Sequence, residues 1–205
     1  EKEFRFPLGY GNQRPLSASW TVTGSGAVII SSEKMAQKAN MSDKNKVHIT
    51  GITTGKIVDF GVKDSMNMGA CMAPAAGNVI VQNLIDNGRK PEWYDKIITG
   101  DLGLVWKDIL LDITRSKGYD IADRYMDCGI EIYSREQEIQ AGGSGCGCSA
   151  SMLAGYIVKM LEKGTWQRVL FVPTGALLSP VSFNEGDSVP GIAHAVVFEC
   201  SGESQ

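Results

Sequence analysis

An alternation of strand-like and helix-like segments is the feature that most restricts the fold of this chain. From residue 46 onward the order is strand, helix, strand, helix, short extended segment, helix, strand, strand. Such alternation is typical of a layered α/β architecture, in which helices cover a mostly parallel sheet. The last two strands follow each other without a helix between them, so the sequence predicts a mixed five-stranded sheet covered by helices.

The element positions follow from local residue patterns. The predicted strands are 46–54, 95–99, 128–133, 168–174 and 192–199, several of them rich in β-branched residues. Between them, apolar residues recur every three or four positions in three segments that end at Gly88, Gly118 and Gly164, which predicts three helices with glycine stops. Pro74 is expected in the first turn of the first helix, where proline is tolerated.

The segment before residue 46 has a different character. Residues 1–19 are rich in aromatic and turn-forming residues and predict an ordered loop. In residues 20–30, apolar and polar residues alternate before the run Val28, Ile29 and Ile30, and this pattern predicts a buried strand. We expect residues 1–31 to be the end of a preceding half, 32–45 a polar connection, and 46–205 the main unit. Because no Met precedes Glu1, we expect the natural N-terminus to lie outside this sequence. The strand at 20–30 should belong to a second sheet, and residues 1–31 should expose apolar surface.

Composition excludes several classes of function. The net charge is −3, so no basic field attracts nucleic acid or anionic lipid. No apolar run is long enough to span a bilayer, and the start lacks the apolar core of a signal peptide. The odd count of 5 cysteines without a secretion signal favours reduced thiols in a cytosol-like compartment.

The glycine-rich run from Gly142 to Ser151 is the strongest local motif. Its glycines permit unusual backbone angles and a close approach of another group, and the third helix starts directly after it. The free N–H groups of a helix start favour a carboxylate or a developing oxyanion. A tight turn that packs against a neighbouring helix explains the same pattern, and glycine spacing alone leaves both interpretations open.

Cysteine and histidine positions argue against a metal site. Cys146 and Cys148 form one pair of candidate ligands, but the sequence offers no second pair to complete a tetrahedral zinc site. A nucleophilic thiol at the helix start is the stronger alternative, although it needs a base. His48 and His194 both fall inside predicted strands and are better explained as core histidines.

Three other segments follow strands or precede helices, so one edge of the sheet could collect them. They are Asn67 and Met68, Thr99 to Asp101, and Gly175 to Ser179. For Asp101 alone, capping of the following helix is the favoured single role.

Taken in order, these pieces resemble the C-terminal half of the thiolase superfamily, which includes the ketoacyl synthases. The Gly24-Ser25-Gly26-Ala27-Val28 run resembles the strand that ends the N-terminal half of that fold. The resemblance implies a thiolase-like fold. Condensing enzymes of this fold carry a nucleophilic Cys in the N-terminal half, and a His and an Asn in the C-terminal half. This sequence has Asp101 near the His position and Cys146 at the Asn position, and neither can donate well in an oxyanion hole.

Longer strings resemble one family within that superfamily, the stage V sporulation protein AD family. The strings are 4–7, 10–15, 67–70, 72–76, 99–103, 141–151 and 190–195. The resemblance implies a non-catalytic protein that binds dipicolinic acid (pyridine-2,6-dicarboxylate) for uptake into the developing spore and that acts in spore germination. It also implies other stage V sporulation membrane proteins as partners, a peripheral position at the inner membrane of the forespore or spore, and a homodimer formed through the N-terminal half.

The expected ligand site collects the residues singled out above and needs no cofactor or metal. Its predicted members are Asn67, Met68, Thr99, Asp101, Ser144, Gly145, Cys146, Gly175, Leu177 and Ser179. A ligand carboxylate is expected at the helix start near Cys148 and Ser149, with bare N–H groups from 144–146, and Met68, Met72 and Leu177 against the ring. The alternative is an active acyltransferase or condensing enzyme, acting on acyl-coenzyme A or acyl carrier protein with a Cys nucleophile.

Overall fold

A mixed sheet of five strands forms the centre of the fold. The computed structural model of the protein describes residue 16 and residues 18–39, 46–64, 67–137 and 139–200. In chain order the strands are β1 (Trp20–Thr21), β2 (Val47–Thr53), β3 (Lys96–Thr99), β4 (Tyr125–Asp127), β5 (Gly143–Ser144), β6 (Arg168–Val172), β7 (Thr174–Ala176), β8 (Gly191–Ala193) and β9 (Ala195–Cys200). The five-stranded sheet has the order β2-β9-β6-β3-β4, which confirms the predicted architecture.

The helices cover both faces of this sheet. They are α1 (Glu33–Lys38), α2 (Gly69–Asp86), α3 (Gly103–Ser116), α4 (Cys128–Glu131), α5 (Cys146–Met152), α6 (Val158–Glu162) and α7 (Pro180–Asn184). A π-helical turn, Leu153–Ile157, joins α5 to α6. Short 3-10 turns lie at Pro91–Trp93, Ala122–Arg124 and Arg135–Gln137.

Alternate residues of the central strands enter two separate cores. Ile97 and Leu170 pack with α2 and α3, whereas Ile98 and Val169 pack with the α5–α6 helix. This is the result of the two-residue period of a strand, which sends successive side chains to opposite faces. Burial of each of these four branched side chains contributes about 1.5–3 kcal/mol to the stability of the layered fold.

Strand directions bring several strand ends to one edge. β3 runs parallel to both β4 and β6, so that Thr99 lies opposite Asp127 on one side and Val172 on the other. β9 is antiparallel to β6 and to β2. The carboxyl ends of β3, β4 and β6 therefore meet, and the loops that follow them can share one site.

Several sequence predictions are wrong in detail. The segment 128–133 is not extended: its strand ends at Asp127, whose side chain caps α4 by accepting from the Ile130 N–H. Helix α2 begins at Gly69 rather than near Pro74, because Cys71, Met72 and Ala73 are buried against the core and extend the helix toward its start. Pro74 therefore lies inside the helix.

The last part of the chain also differs from the prediction. A short helix, α7, does lie between the last two long strands, and His194 divides the predicted strand at 192–199 into β8 and β9. In α3 the buried side chains are Leu110, Leu111 and Thr114, whereas Ile109 is 40% exposed.

The predicted strand at 20–30 is reduced to Trp20–Thr21. It pairs in parallel with Gly143–Ser144 in a separate two-stranded sheet and not with the central one. Beyond Val22 the segment is exposed, with Ile29 at 99%. Gly24 and Gly26 lie where an added Cβ would collide with the Ser151 side chain and the Ala150 carbonyl of α5. The segment is thus held against a helix, which explains why it does not continue as a strand.

Apolar exposure at Val28, Ile29 and Ile30 agrees with the expected exposed surface of this region. Within the predicted connection 32–45, residues 33–38 form the unpredicted helix α1. Of the predicted loop at 1–19, residues 1–15 and 17 lie outside the described residues, as does the remainder of the connection at 40–45. The division of the chain at residues 31 and 45 stays a prediction.

Candidate functional site

The carboxyl ends of β3 and β4 carry a buried carboxylate, Asp127. Its Oδ2 accepts from the Thr99 hydroxyl at 2.7 Å and from the Leu102 N–H at 2.9 Å. Its Oδ1 accepts from the N–H groups of Gly103 at 3.2 Å and Ile130 at 3.1 Å. Burial raises the pKa of Asp127, while these four donors oppose that shift. Every donor is an N–H or O–H group, which is the arrangement that an ionised carboxylate requires.

Tyr125 completes this buried network. Its hydroxyl lies 2.6 Å from the Thr99 hydroxyl, which in turn bonds to Asp127. Burial raises the pKa of Tyr125 well above its usual value, so that it stays protonated and can donate to Thr99. We call Thr99, Leu102, Gly103, Tyr125 and Asp127 the site floor.

A second carboxylate, Asp101, lies above the floor at the glycine-rich loop. Its Oδ2 accepts one hydrogen bond, from the Gly145 N–H at 2.9 Å. Burial raises the pKa of Asp101 to about 6, and the nearby charge of Asp127 adds to the shift. Asp101, Ser144, Gly145 and Cys146 form what we call the site rim. Near neutral pH the rim can therefore hold or release a proton at the Asp101 carboxyl.

The short sheet of β1 and β5 positions the rim. The Trp20 N–H donates to the Gly142 carbonyl at 3.0 Å, and the Val22 N–H donates to the Ser144 carbonyl at 2.8 Å. The Ser19 and Ser144 hydroxyls lie 2.7 Å apart. Gly145 then takes φ 114° and ψ 163°, a conformation that essentially only glycine adopts, and α5 begins at the next residue.

This geometry changes the predicted roles of two residues. Asp101 does not cap α3: the side chain that accepts from the Leu102 and Gly103 N–H groups is Asp127. The Gly145 N–H is not bare, because it already donates to Asp101. A ligand carboxylate at this loop would therefore meet an acidic neighbour, whose protonation state matters.

The cysteines differ sharply in accessibility. Cys146 is exposed at the start of α5, whereas Cys148 is fully buried and its thiol points to the Gly100 carbonyl at 3.7 Å. Burial raises the pKa of Cys148 to about 12, and it also raises that of Cys128. Neither buried thiol is a thiolate at neutral pH, so neither can serve as a nucleophile there.

The other predicted site residues are distributed around this edge. A Cβ added at Gly100 would lie 3.5 Å from atoms of Pro173, Thr174 and Ser149, so the start of β7 lies close to the Thr99–Asp101 segment. Met68 packs on the same apolar cluster as Leu102.

Asn67, Gly175, Leu177 and Ser179 have contacts of other kinds. The Asn67 Oδ1 is buried without a hydrogen-bond partner among the described residues. Gly175 lies in β7 opposite Ile192. The Leu177 N–H donates to the Pro190 carbonyl, and the Ser179 hydroxyl caps α7 by accepting from Val181 at 3.2 Å. The residues with direct links to the floor and rim are thus Thr99, Asp101, Ser144, Gly145 and Cys146.

Sequence reasoning missed Asp127 and Tyr125. The Tyr125-Met126-Asp127 strand was predicted too far along the chain, so the carboxylate at its end was not recognised as a neighbour of Thr99. The available signal was an Asp that closes a strand directly before a small helix.

A small cavity lies elsewhere in the structure. Its lining consists of Thr54, Gly55, Lys56, Asn78, Val79 and Gln82, and it includes none of the predicted site residues. Among the described residues, no three Asp, Glu, His or Cys side chains are grouped as metal ligands would be. His194 accepts from the Gly55 N–H at 3.2 Å, beside this cavity. No helix within the described ranges is both long and apolar enough to cross a bilayer.

Comparison with known proteins gives a family match. Residues 1–199 match the family described as stage V sporulation protein AD. The stage V sporulation protein AD of Bacillus subtilis (strain 168) is 44% identical over 202 residues, which is 98% of this chain and 57% of that protein. The chain thus spans little more than half the length of this relative.

Two thiolase structures are similar at low sequence identity. A thiolase from Ascaris suum, solved in complex with coenzyme A, is 12% identical with a TM-score of 0.43, and the match covers 82% of this chain and 34% of that chain. Human mitochondrial 3-ketoacyl-CoA thiolase is 17% identical with a TM-score of 0.45, and the match covers 83% and 34%, respectively.

Proposed function

Because this chain belongs to the stage V sporulation protein AD family, we propose that it binds dipicolinic acid at the rim, without catalysis, in the uptake of this compound into the developing spore. The family gives the chain a role in sporulation. One observation supports the non-catalytic part: of the two thiols at the start of α5, Cys148 is buried, and its pKa is raised to about 12. A thiol in that state does not attack a thioester at neutral pH.

The Asp101 carboxyl explains how an acidic rim accepts a diacid. Below a pH of about 6 it carries a proton, and a protonated carboxyl donates a hydrogen bond to a ligand carboxylate. Above that pH it is ionised and repels the same group. Binding should therefore weaken as pH rises through about 6. The diacid should bind better than pyridine-2-carboxylate, because one charge-assisted contact contributes about 1.5–3 kcal/mol.

Titration calorimetry of the protein with dipicolinate tests this proposal. Cys146→Leu places bulk at the rim in an ordinary helical position, and we expect it to weaken binding at least tenfold. A leucine at Gly145 is less informative, because the backbone there has φ 114° and the substitution would strain the loop. Gly155→Leu is the matched control, since nothing lies within 4 Å of an added Cβ there. If Cys146→Leu stays folded and binds like the control, the ligand site is not at the rim.

The exposed Cys146 at a helix start favours the alternative, an acyltransferase or condensing enzyme with a Cys nucleophile. Incubation with acyl-coenzyme A followed by mass spectrometry separates the two functions. We expect no acyl group on Cys146. A stoichiometric acyl adduct there would show that the protein is an enzyme and contradict the non-catalytic proposal.

The remaining expectations concern the setting of the protein. We propose that it acts at the inner membrane of the forespore as a peripheral protein, together with other stage V sporulation membrane proteins, and that it forms a homodimer. Cross-linking in sporulating cells, followed by separation of membrane and soluble fractions, tests these points together. Recovery only in the soluble fraction, without cross-linked partners, would contradict them.

A further inference from the structure

Two arginines stack on one tryptophan at the opposite edge of the sheet from the rim. The Arg89 Cζ lies 3.6 Å from the ring centroid of Trp93, and the Arg168 Cζ lies 4.7 Å from it. Trp93 precedes β3 and Arg168 begins β6, so the group sits at the amino ends of these parallel strands. We call Arg89, Trp93 and Arg168 the arginine–tryptophan patch.

A buried polar chain fixes one side of the patch. Arg89 Nη1 donates to the Tyr94 hydroxyl at 3.2 Å, and that hydroxyl donates to Asn83 Oδ1 at 2.5 Å. Asn83 Nδ2 in turn donates to the Thr53 hydroxyl at 2.8 Å. Tyr94 and Asn83 are fully buried. The guanidinium of Arg89 is thus held in one orientation before any partner arrives, which reduces the entropic cost of binding.

The two guanidinium groups have no carboxylate partner among the described residues, where the ion pairs involve Glu33, Asp112 and Asp120. Nearby carboxylates form other hydrogen bonds: Asp95 accepts from the backbone N–H groups of Gln167 and Arg168, and Asp86 accepts from Gln82. Glu199 lies opposite Arg168 in the β6–β9 pair and accepts from the Thr50 hydroxyl. Glu92 is exposed beside the patch. The Arg168 Nε is buried without a hydrogen-bond partner in the described part of the chain. A guanidinium that has no carboxylate partner within the protein favours an acceptor from a binding partner.

We propose that the arginine–tryptophan patch is a docking surface for an acidic segment of a partner protein. Arg and Trp are the residues most enriched in the energetic centres of protein interfaces. The patch is half-buried surface and not part of the cavity near Lys56, so its shape suits an extended chain better than an enclosed small molecule. Ile85, in the last turn of α2, precedes Arg89 by four residues and offers an apolar side chain that is 55% exposed. Lys90 and Lys96, each three residues from Trp93 in sequence, add positive charge to this part of the chain.

Fluorescence anisotropy with a labelled hexaglutamate peptide tests the patch, with hexalysine as the negative control. We expect the peptide to bind saturably, and Arg89→Gln and Arg168→Gln each to weaken binding about tenfold. Arg168→Lys should recover only part of the loss, because an ammonium neither stacks flat nor forms two parallel hydrogen bonds. Lys90→Gln removes the same charge without the stack and should change affinity less than twofold.

Three outcomes would overturn the proposal. One is the absence of saturable peptide binding. Another is a loss of peptide affinity in Lys90→Gln as large as in the arginine variants, which would show that only net charge matters. The last is displacement of the peptide by millimolar phosphate or dipicolinate at constant ionic strength, which would make the patch a small-anion site. Because the calorimetric titration monitors the rim and this assay monitors the other edge, failure of one proposal does not decide the other.

Discussion

The floor and the rim each contain one aspartate, and the two are bonded very differently. Asp127 of the floor is 1% exposed and accepts four hydrogen bonds from Thr99, Leu102, Gly103 and Ile130. Asp101 of the rim is partly buried and accepts one, from Gly145. A buried carboxylate with all its acceptor sites used is a fixed structural element. A carboxylate with one bond and free acceptor capacity is left to respond to pH and to a ligand.

The same contrast holds for the backbone. The floor lies at the ends of β3 and β4 and caps the starts of α3 and α4, so it joins four elements. The rim is held only by the short β1–β5 pair, in which each strand has two residues, and its chain then turns at Gly145, which has a positive φ. Local stability should therefore fall from the floor to the rim, as is usual for ligand-binding loops.

The largest expected effect is the loss of the floor carboxylate. Asp127→Ala leaves two backbone N–H groups of α3, one of α4 and the Thr99 hydroxyl without their acceptor. We expect the free energy of unfolding to fall by about 3–5 kcal/mol. Urea denaturation measures it, with exposed Asp123→Ala as the control, which should change by less than about 0.5 kcal/mol. Equal losses in both variants would show that the floor is not a structural centre.

A smaller effect is expected from the rim carboxylate, and it depends on pH. Folding raises the pKa of Asp101 from 3.8 to about 6. The folded state therefore holds this proton more tightly, and the stability from that preference is complete below pH 3.8 and lost as pH rises through about 6. As pH rises from 4 to 7, ionisation of Asp101 should lower the free energy of unfolding by up to about 2–3 kcal/mol.

The Asp101→Asn variant isolates this contribution, because its Oδ1 can still accept from the Gly145 N–H. We expect it to match wild type near pH 4 and to exceed it in stability at pH 7, as measured by urea denaturation at both pH values. Asp108→Asn, on the exposed face of α3, serves as the control. If wild type and Asp101→Asn keep the same difference at both pH values, the rim carboxyl is ionised throughout.

The backbone of the rim gives the next effect in size. Gly145→Ala forces a side chain into φ 114° and ψ 163°, although its Cβ would meet no atom closer than 3.8 Å. The cost is then conformational and should be about 1–3 kcal/mol. Gly155→Ala, in an open helical position, should be neutral or slightly stabilising. Thermal unfolding of the two variants tests this, and equal midpoints would mean that the loop adopts another conformation.

The sequence predicted the sheet well because its strands have strong local patterns. Short apolar runs such as Val169 to Val172, bounded by polar residues, are typical of central strands, and the alternation with helices predicts a largely parallel sheet. The rim was also predicted, since glycines before a helix mark a loop with unusual angles. Asp127 and Tyr125 of the floor were not, because three of the four hydrogen-bond partners of Asp127 lie 24 to 28 residues away in sequence. Such partners become visible only when β3 and β4 are placed side by side.

The N-terminal segment shows the opposite failure. Its pattern predicted a strand over 20–30, yet only Trp20–Thr21 forms one, whereas the exposure of Val28 to Ile30 agrees with the apolar surface expected of this segment. Periodicity reports that a segment can be buried, but not which surface buries it. The same limit applies to Asp101, where a local capping pattern predicted a bond to α3 and the structure shows one to Gly145, 44 residues away.

The smallest effect on stability is expected at Cys146. The reactivity of this thiol, compared with that of Cys148, tests the difference in accessibility between the rim and the buried residues behind it. Cys146→Ser removes an exposed thiol and should change the free energy of unfolding by less than about 0.5 kcal/mol. Iodoacetamide at pH 8 should nevertheless alkylate Cys146 in the folded protein, because this thiol is accessible. Cys148, two residues further, is buried with its pKa raised to about 12, and should react only after unfolding. Peptide mass spectrometry of native and urea-treated samples measures both sites. Rapid native labelling of Cys148 would show that this thiol becomes accessible in the folded protein, and the non-catalytic assignment would lose that support.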